Sequence, residues 1–106
     1  MSQVRQMKYA DVNISAAGDS TIIAAVTGAP IRIWQVWLEA SGGANVIIPK
    51  DGSTAINAGG VSLVQYGTIT FQYTGQPWWD VTISNAFKLN LSNATAVVGG
   101  IQYTYG

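Results

Sequence analysis

The chain has no cysteine and no histidine, and only 9% of its 106 residues are charged. Without cysteine there is no disulfide framework, so a small secreted scaffold is not expected. Without either residue the usual nucleophile–base pairs and transition-metal ligands are missing. No cofactor is expected. Typical soluble domains carry about 25% charged residues. Here five cations balance five acids, and the formal net charge is zero. A neutral surface favours association. No apolar run approaches the roughly 18 residues that span a membrane, so no membrane partner is expected. The first eight residues hold no apolar h-region, and no secretory leader is read there.

The acids are Asp11, Asp19, Glu39, Asp51 and Asp80, widely spaced and mostly beside turns. No spacing singles out a carboxylate pair for glycosidase chemistry, and the chain reads as a non-enzyme. No Gly-x-Gly-x-x-Gly and no phosphate-binding Gly-Lys-Ser/Thr occurs. The cations Arg5, Lys8, Arg32, Lys50 and Lys88 are dispersed among the acids, which makes nucleic acid a poor partner.

Hydrophobic residues make up 48% of the chain, and they alternate with period two rather than at helical spacing. Turn chemistry recurs at Ala17-Gly18-Asp19, Thr27-Gly28-Ala29-Pro30, Ser41-Gly42-Gly43, Asp51-Gly52-Ser53, Ala58-Gly59-Gly60, Thr74-Gly75-Gln76-Pro77 and Ser84-Asn85. Between these turns about eight strands are predicted, near 8–16, 20–27, 31–40, 45–50, 61–73 with a break at Gly67, 78–83, 87–91 and 95–105. Short strands so punctuated predict an all-β domain, a small antiparallel β-sandwich of jelly-roll type. Residues 8–106 form this single domain, and residues 1–7 read as an extended arm. Phe87, Leu89 and Leu91 share one face and fix the register of their strand. Gly99-Gly100 interrupts a strong strand pattern and predicts a bulge or a close backbone approach.

Successive side chains of a strand point to opposite faces. Trp34 and Trp37 differ in parity, as do Trp78 and Trp79, so regular strands split each pair between faces. One tryptophan of each pair then lies away from the core, unless a bulge intervenes. The runs Ile22-Ile23, Val46-Ile47-Ile48 and Val97-Val98 also put apolar groups on both faces. With no helices expected to cover the second face, a neighbouring subunit is the economical cover. Trp34, Trp37, Trp78 and Trp79 are therefore the interface candidates. The alternatives are a tryptophan under a loop, or Trp78-Trp79 stacking on a sugar ring. Val4, Arg5, Met7 and Lys8 are candidates for a docking arm that adds as a strand to a neighbour.

The run Val12-Asn13-Ile14-Ser15-Ala16-Ala17-Gly18-Asp19-Ser20-Thr21-Ile22-Ile23-Ala24-Ala25-Val26 leads into Ile31-Arg32-Ile33 and then Ala40-Ser41-Gly42. Later come Phe87-Lys88-Leu89-Asn90-Leu91-Ser92 and Val98-Gly99-Gly100-Ile101-Gln102-Tyr103. This order resembles small virion proteins of tailed bacteriophages, above all head decoration or cement proteins with a compact jelly-roll-like fold. The resemblance spans about residues 8–105. It implies a homotrimer on the capsid surface, made in the host cytoplasm, with the major capsid protein as partner. The alternative is a carbohydrate- or receptor-binding module of a tail or fibre.

Overall fold

The computed structural model describes residues 6–57 and 59–106. Among the described residues ten strands follow in order: β1 (Lys8–Ile14), β2 (Gly18–Ile23), β3 (Ile31–Glu39), β4 (Asn45–Asp51), β5 (Thr54–Ala55), β6 (Val61–Leu63), β7 (Thr68–Phe71), β8 (Trp79–Val81), β9 (Phe87–Leu91) and β10 (Val97–Tyr105). None of the described residues is helical. The alternation read in the sequence sets the faces. In β9, Phe87, Leu89 and Leu91 are buried while Lys88 and Asn90 are half-exposed. In β1, Ala10, Val12 and Ile14 turn inward and Tyr9, Asp11 and Asn13 face solvent.

The strands form two antiparallel sheets. Sheet A has the order β1-β10-β3-β7, with β8 also on β3; sheet B has the order β2-β9-β4-β5, with β6 also on β4. The pairs nest, β1 with β10, β2 with β9, β3 with β7 and β8, β4 with β5 and β6. That is one long hairpin rolled into a sandwich, the jelly-roll order. The count exceeds eight for two reasons. The predicted strand 61–73 breaks at a turn over Val64–Gly67, and the two-residue β5 is too short to leave a periodic signal.

Between the sheets, Ile31, Ile33, Val36, Leu38 and Ile101 of sheet A meet Ile47, Phe87, Leu89 and Leu91 of sheet B. Trp79 stacks on Phe87 at 5.8 Å and joins the layers. Both ends of β4 are pinned by polar side chains. Buried Asn45 donates to Asn93 O and Thr95 Oγ1 and accepts from Ser92 Oγ, fixing the β9–β10 turn. Asp51 accepts from Thr82 Oγ1 at 2.5 Å and Asn85 Nδ2 at 2.9 Å, fixing the β8–β9 turn. Burial acts to raise the Asp51 pKa, but these hydrogen bonds outweigh it and hold the carboxyl below its ordinary value. Among the described residues no buried side-chain polar atom lacks a partner.

Candidate protein interface

The outer face of sheet A departs from a regular pleat at one point. Tyr103 pairs with Ile33 and Gln102 with Gln35, so Trp34 is an extra residue in β3. This bulge resets the parity: Ile31 and Ile33 face the core before it, Val36 and Leu38 after it. Trp34 and Trp37 were expected on opposite faces; the bulge puts both on the outer one. Trp34 Nε1 donates to Thr104 Oγ1 at 2.8 Å, and Thr104 points away from the core-facing Tyr103 and Tyr105.

The bulge also organises the edge of the sheet. β7 pairs with Val36–Glu39 and β8 with Ile31–Ile33, so the chain leaves β3 opposite Trp34 and Gln35. The departing segment lays Tyr73 on Trp34, with ring centroids 5.8 Å apart. Trp78 then returns, donating its backbone N–H to Ile33 O and its indole N–H to Gln72 O. Trp34 is thereby buried on the outside of the sandwich, 6% exposed, although it is no part of the core cluster.

Trp37 is free of such cover and 41% exposed. It pairs with Gly100, and Asp11 flanks that glycine from β1. A Cβ on Gly100 would lie 2.7 Å from the Tyr9 hydroxyl and 3.0 Å from Trp37 Nε1. The phenol of Tyr9 and the indole of Trp37 thus converge over Gly100 from either side. At Gly99 a Cβ would strike the Trp37 carbonyl oxygen. Of the two alternatives read at the glycine pair, the close backbone approach is the one found, and the bulge of this ladder lies at Trp34 in β3.

The other tryptophan pair does split. Trp79 packs on Phe71 and Phe87 beside the core, while Trp78 covers Phe71 at 4.9 Å and is exposed at the sheet edge. They do not form the two-ring platform that stacking of both on one sugar requires. Lys8 opens β1 opposite Tyr103, and exposed Met7 precedes it outside any strand. Val4 and Arg5 lie outside the described residues. Two exposed rings of the face, Tyr9 and Tyr73, were not singled out from sequence. Tyr9 was readable, since it shares a β1 face with Asp11 and Asn13; Tyr73 was not, since its contact with Trp34 is made after the chain has left the strand.

The two outer faces differ in chemistry. On sheet B, Asp19 accepts from Asn90 Nδ2 at 2.6 Å and pairs with Lys50 at 3.4 Å. The Asn90 hydrogen bond, helped by Lys50, holds the Asp19 carboxyl below its ordinary pKa. Lys50 stands opposite Lys88, so charge runs across this face. On the outer face of sheet A the centre holds Tyr9, Trp34, Gln35, Trp37 and Gln102 with exposed Asp11 beside Gly100, Glu39 follows toward β7, and Arg32 pairs with Asp80 at 3.8 Å toward the β8 end. No protein-family model matches the chain, and no curated protein matches it. Among the described residues no three acids come together as a metal-binding group.

Proposed function

We propose that this chain is a non-enzymatic structural protein that binds other protein surfaces, as a decoration or cement protein on a tailed-phage head. The contrast between the outer faces carries the reading. Interface cores are rich in Tyr and Trp, and the outer face of sheet A carries Tyr9, Trp34 and Trp37, with Asp11 beside them, where that of sheet B carries Asp19, Lys50 and Lys88. Tyr and Trp side chains have few rotatable bonds, so covering Tyr9 and Trp37 costs little side-chain ordering. In this reading a second copy of the chain covers that face, the assembly is a homotrimer, and the trimer joins subunits of the major capsid protein on the virion surface. The jelly-roll order accords with the resemblance, but such folds serve many functions, so the face and not the fold bears the argument. The tail or fibre module that binds sugar through Trp78-Trp79 draws less support, because Trp79 is turned toward the core.

Sedimentation equilibrium at micromolar concentration tests the assembly. The expected result is a species of about three chain masses; a lone species at the 11.2 kDa chain mass contradicts the trimer.

A further inference from the structure

Asp51-Gly52 is the one Asp-Gly step of the sequence, and no Asn-Gly step occurs. It opens the corner between β4 and β5, where Asp51 pairs with Thr54 and Gly52 has φ 60°, a left-handed backbone that suits glycine. Glycine also leaves the amide nitrogen after Asp51 with no side chain to shield it. An aspartyl carboxyl followed by such a nitrogen is open to intramolecular imide formation. The other aspartates are better shielded, since Asp11 and Asp80 each precede a valine and Asp19 precedes a serine.

Both reacting groups are held by one short segment, the β8–β9 turn. The Asp51 carboxylate accepts from Thr82 Oγ1 at 2.5 Å on one oxygen and from Asn85 Nδ2 at 2.9 Å on the other. The Gly52 N–H donates to Ala86 O at 2.9 Å. A Cβ on Gly52 would lie 3.4 Å from Asn85 Nδ2, so the same amide also covers the glycine. Ring closure requires the nitrogen and Cγ to reach a near-attack geometry. Here the carboxyl and the N–H are each committed to a different partner. Burial favours the neutral carboxyl, but the hydrogen bonds outweigh it and keep the group ionised. An ionised carboxylate has no hydroxyl to lose as water.

We propose that Asp51 is a site of spontaneous isomerisation to isoaspartate, latched shut by Thr82, Asn85 and Ala86 and opened only when the β8–β9 turn lets go. In the open state the Gly52 nitrogen attacks Cγ of the protonated carboxyl. The N–Cγ bond forms, the Cγ–OH bond breaks, and the amide proton leaves with the hydroxyl as water. The product is a cyclic imide. Water then adds to one of its carbonyls. Opening at Cγ returns aspartate; opening at the main-chain carbonyl of Asp51 gives isoaspartate. One water is lost and one is taken up, and nothing is oxidised. Isoaspartate routes the main chain through Cγ at the residue that pairs with both Phe87 and Thr54. The carboxyl that Thr82 and Asn85 bind becomes part of the backbone, so a converted chain cannot remake the latch.

Ageing of the protein in mildly acidic buffer tests this, with isoaspartate counted by enzymatic methylation and located by peptide mapping. Folded wild type is compared with wild type in urea, with Thr82→Val and Asn85→Ala, and with Val36→Ala, which weakens the buried core of sheet A away from the turn. Near-UV circular dichroism selects the variants that are folded, and Thr82→Val, which keeps the Asn85 contact, serves where Asn85→Ala does not fold. A reaction through local opening follows the fraction open. Folded wild type should therefore convert at least about 100-fold more slowly than the unfolded chain, and the folded latch variants at least about fivefold faster than folded wild type. Val36→Ala should age at the wild-type rate. Equal rates in folded and unfolded wild type overturn the latch. Folded latch variants that age like wild type, or no faster than Val36→Ala, overturn the roles of Thr82 and Asn85. Isoaspartate that maps to another acid, with Asp51 intact in the unfolded chain, overturns the site.

Discussion

Phe87→Ala is expected to lower unfolding free energy by about 3–5 kcal/mol, with an unchanged denaturant slope. The ring is fully buried in β9, which runs between β2 and β4 in sheet B. It reaches across the sandwich to Trp79, whose plane is tilted only 22° from its own. Truncation removes apolar contact from both sheets and leaves a cavity that neither can fill, because β9 is held by ladders on both edges. Domains of this size have total stabilities of about 5–15 kcal/mol, so the loss is a large share. Urea unfolding measures it. A cost below about 1 kcal/mol would show that Phe87 does not bridge the layers.

The tryptophans of β3 are expected to separate stability from assembly. Trp34 lies off the core yet is nearly fully covered, bonded to Thr104 and roofed by Tyr73. Trp34→Ala strips the bulge of its filling and should cost about 3–5 kcal/mol. Trp37 is 41% exposed and rests on a glycine, so Trp37→Ala should cost no more than about 1 kcal/mol in the isolated subunit. Assembly should respond in the opposite sense. Trp37→Ala removes an aromatic anchor from the proposed contact and should leave a folded monomer. Denaturant melts paired with sedimentation equilibrium read both quantities. A Trp37→Ala protein that stays trimeric would place the copy-to-copy contact elsewhere.

Much of the sandwich was legible because its strands follow strict alternation. Phe87, Leu89 and Leu91 declare one face of β9, and turn residues mark most strand ends. What period-two reading cannot show is a change of phase. The bulge at Trp34 adds one residue to β3 without any Gly or Pro to announce it, so parity assigned Trp34 and Trp37 to different sides. Tyr73 comes directly before the turn read at Thr74-Gly75-Gln76-Pro77, but the folding of its ring onto Trp34 is a contact that alternation cannot show. Gly99-Gly100 drew notice as a place where backbones approach, but the sequence could not say which strand carried the irregularity. Trp78 and Trp79, in contrast, divided between edge and core as their parity requires.

The proposed cement function would have this protein strengthen a shell by binding its subunits, and heat rupture of the particle tests that proposal most directly. Particles with and without the protein are heated in parallel, and release of packaged DNA is followed. Decorated particles are expected to rupture at a clearly higher temperature, since a ligand bound to the intact shell stabilises it by mass action. Equal rupture temperatures for decorated and bare particles would contradict the cement function.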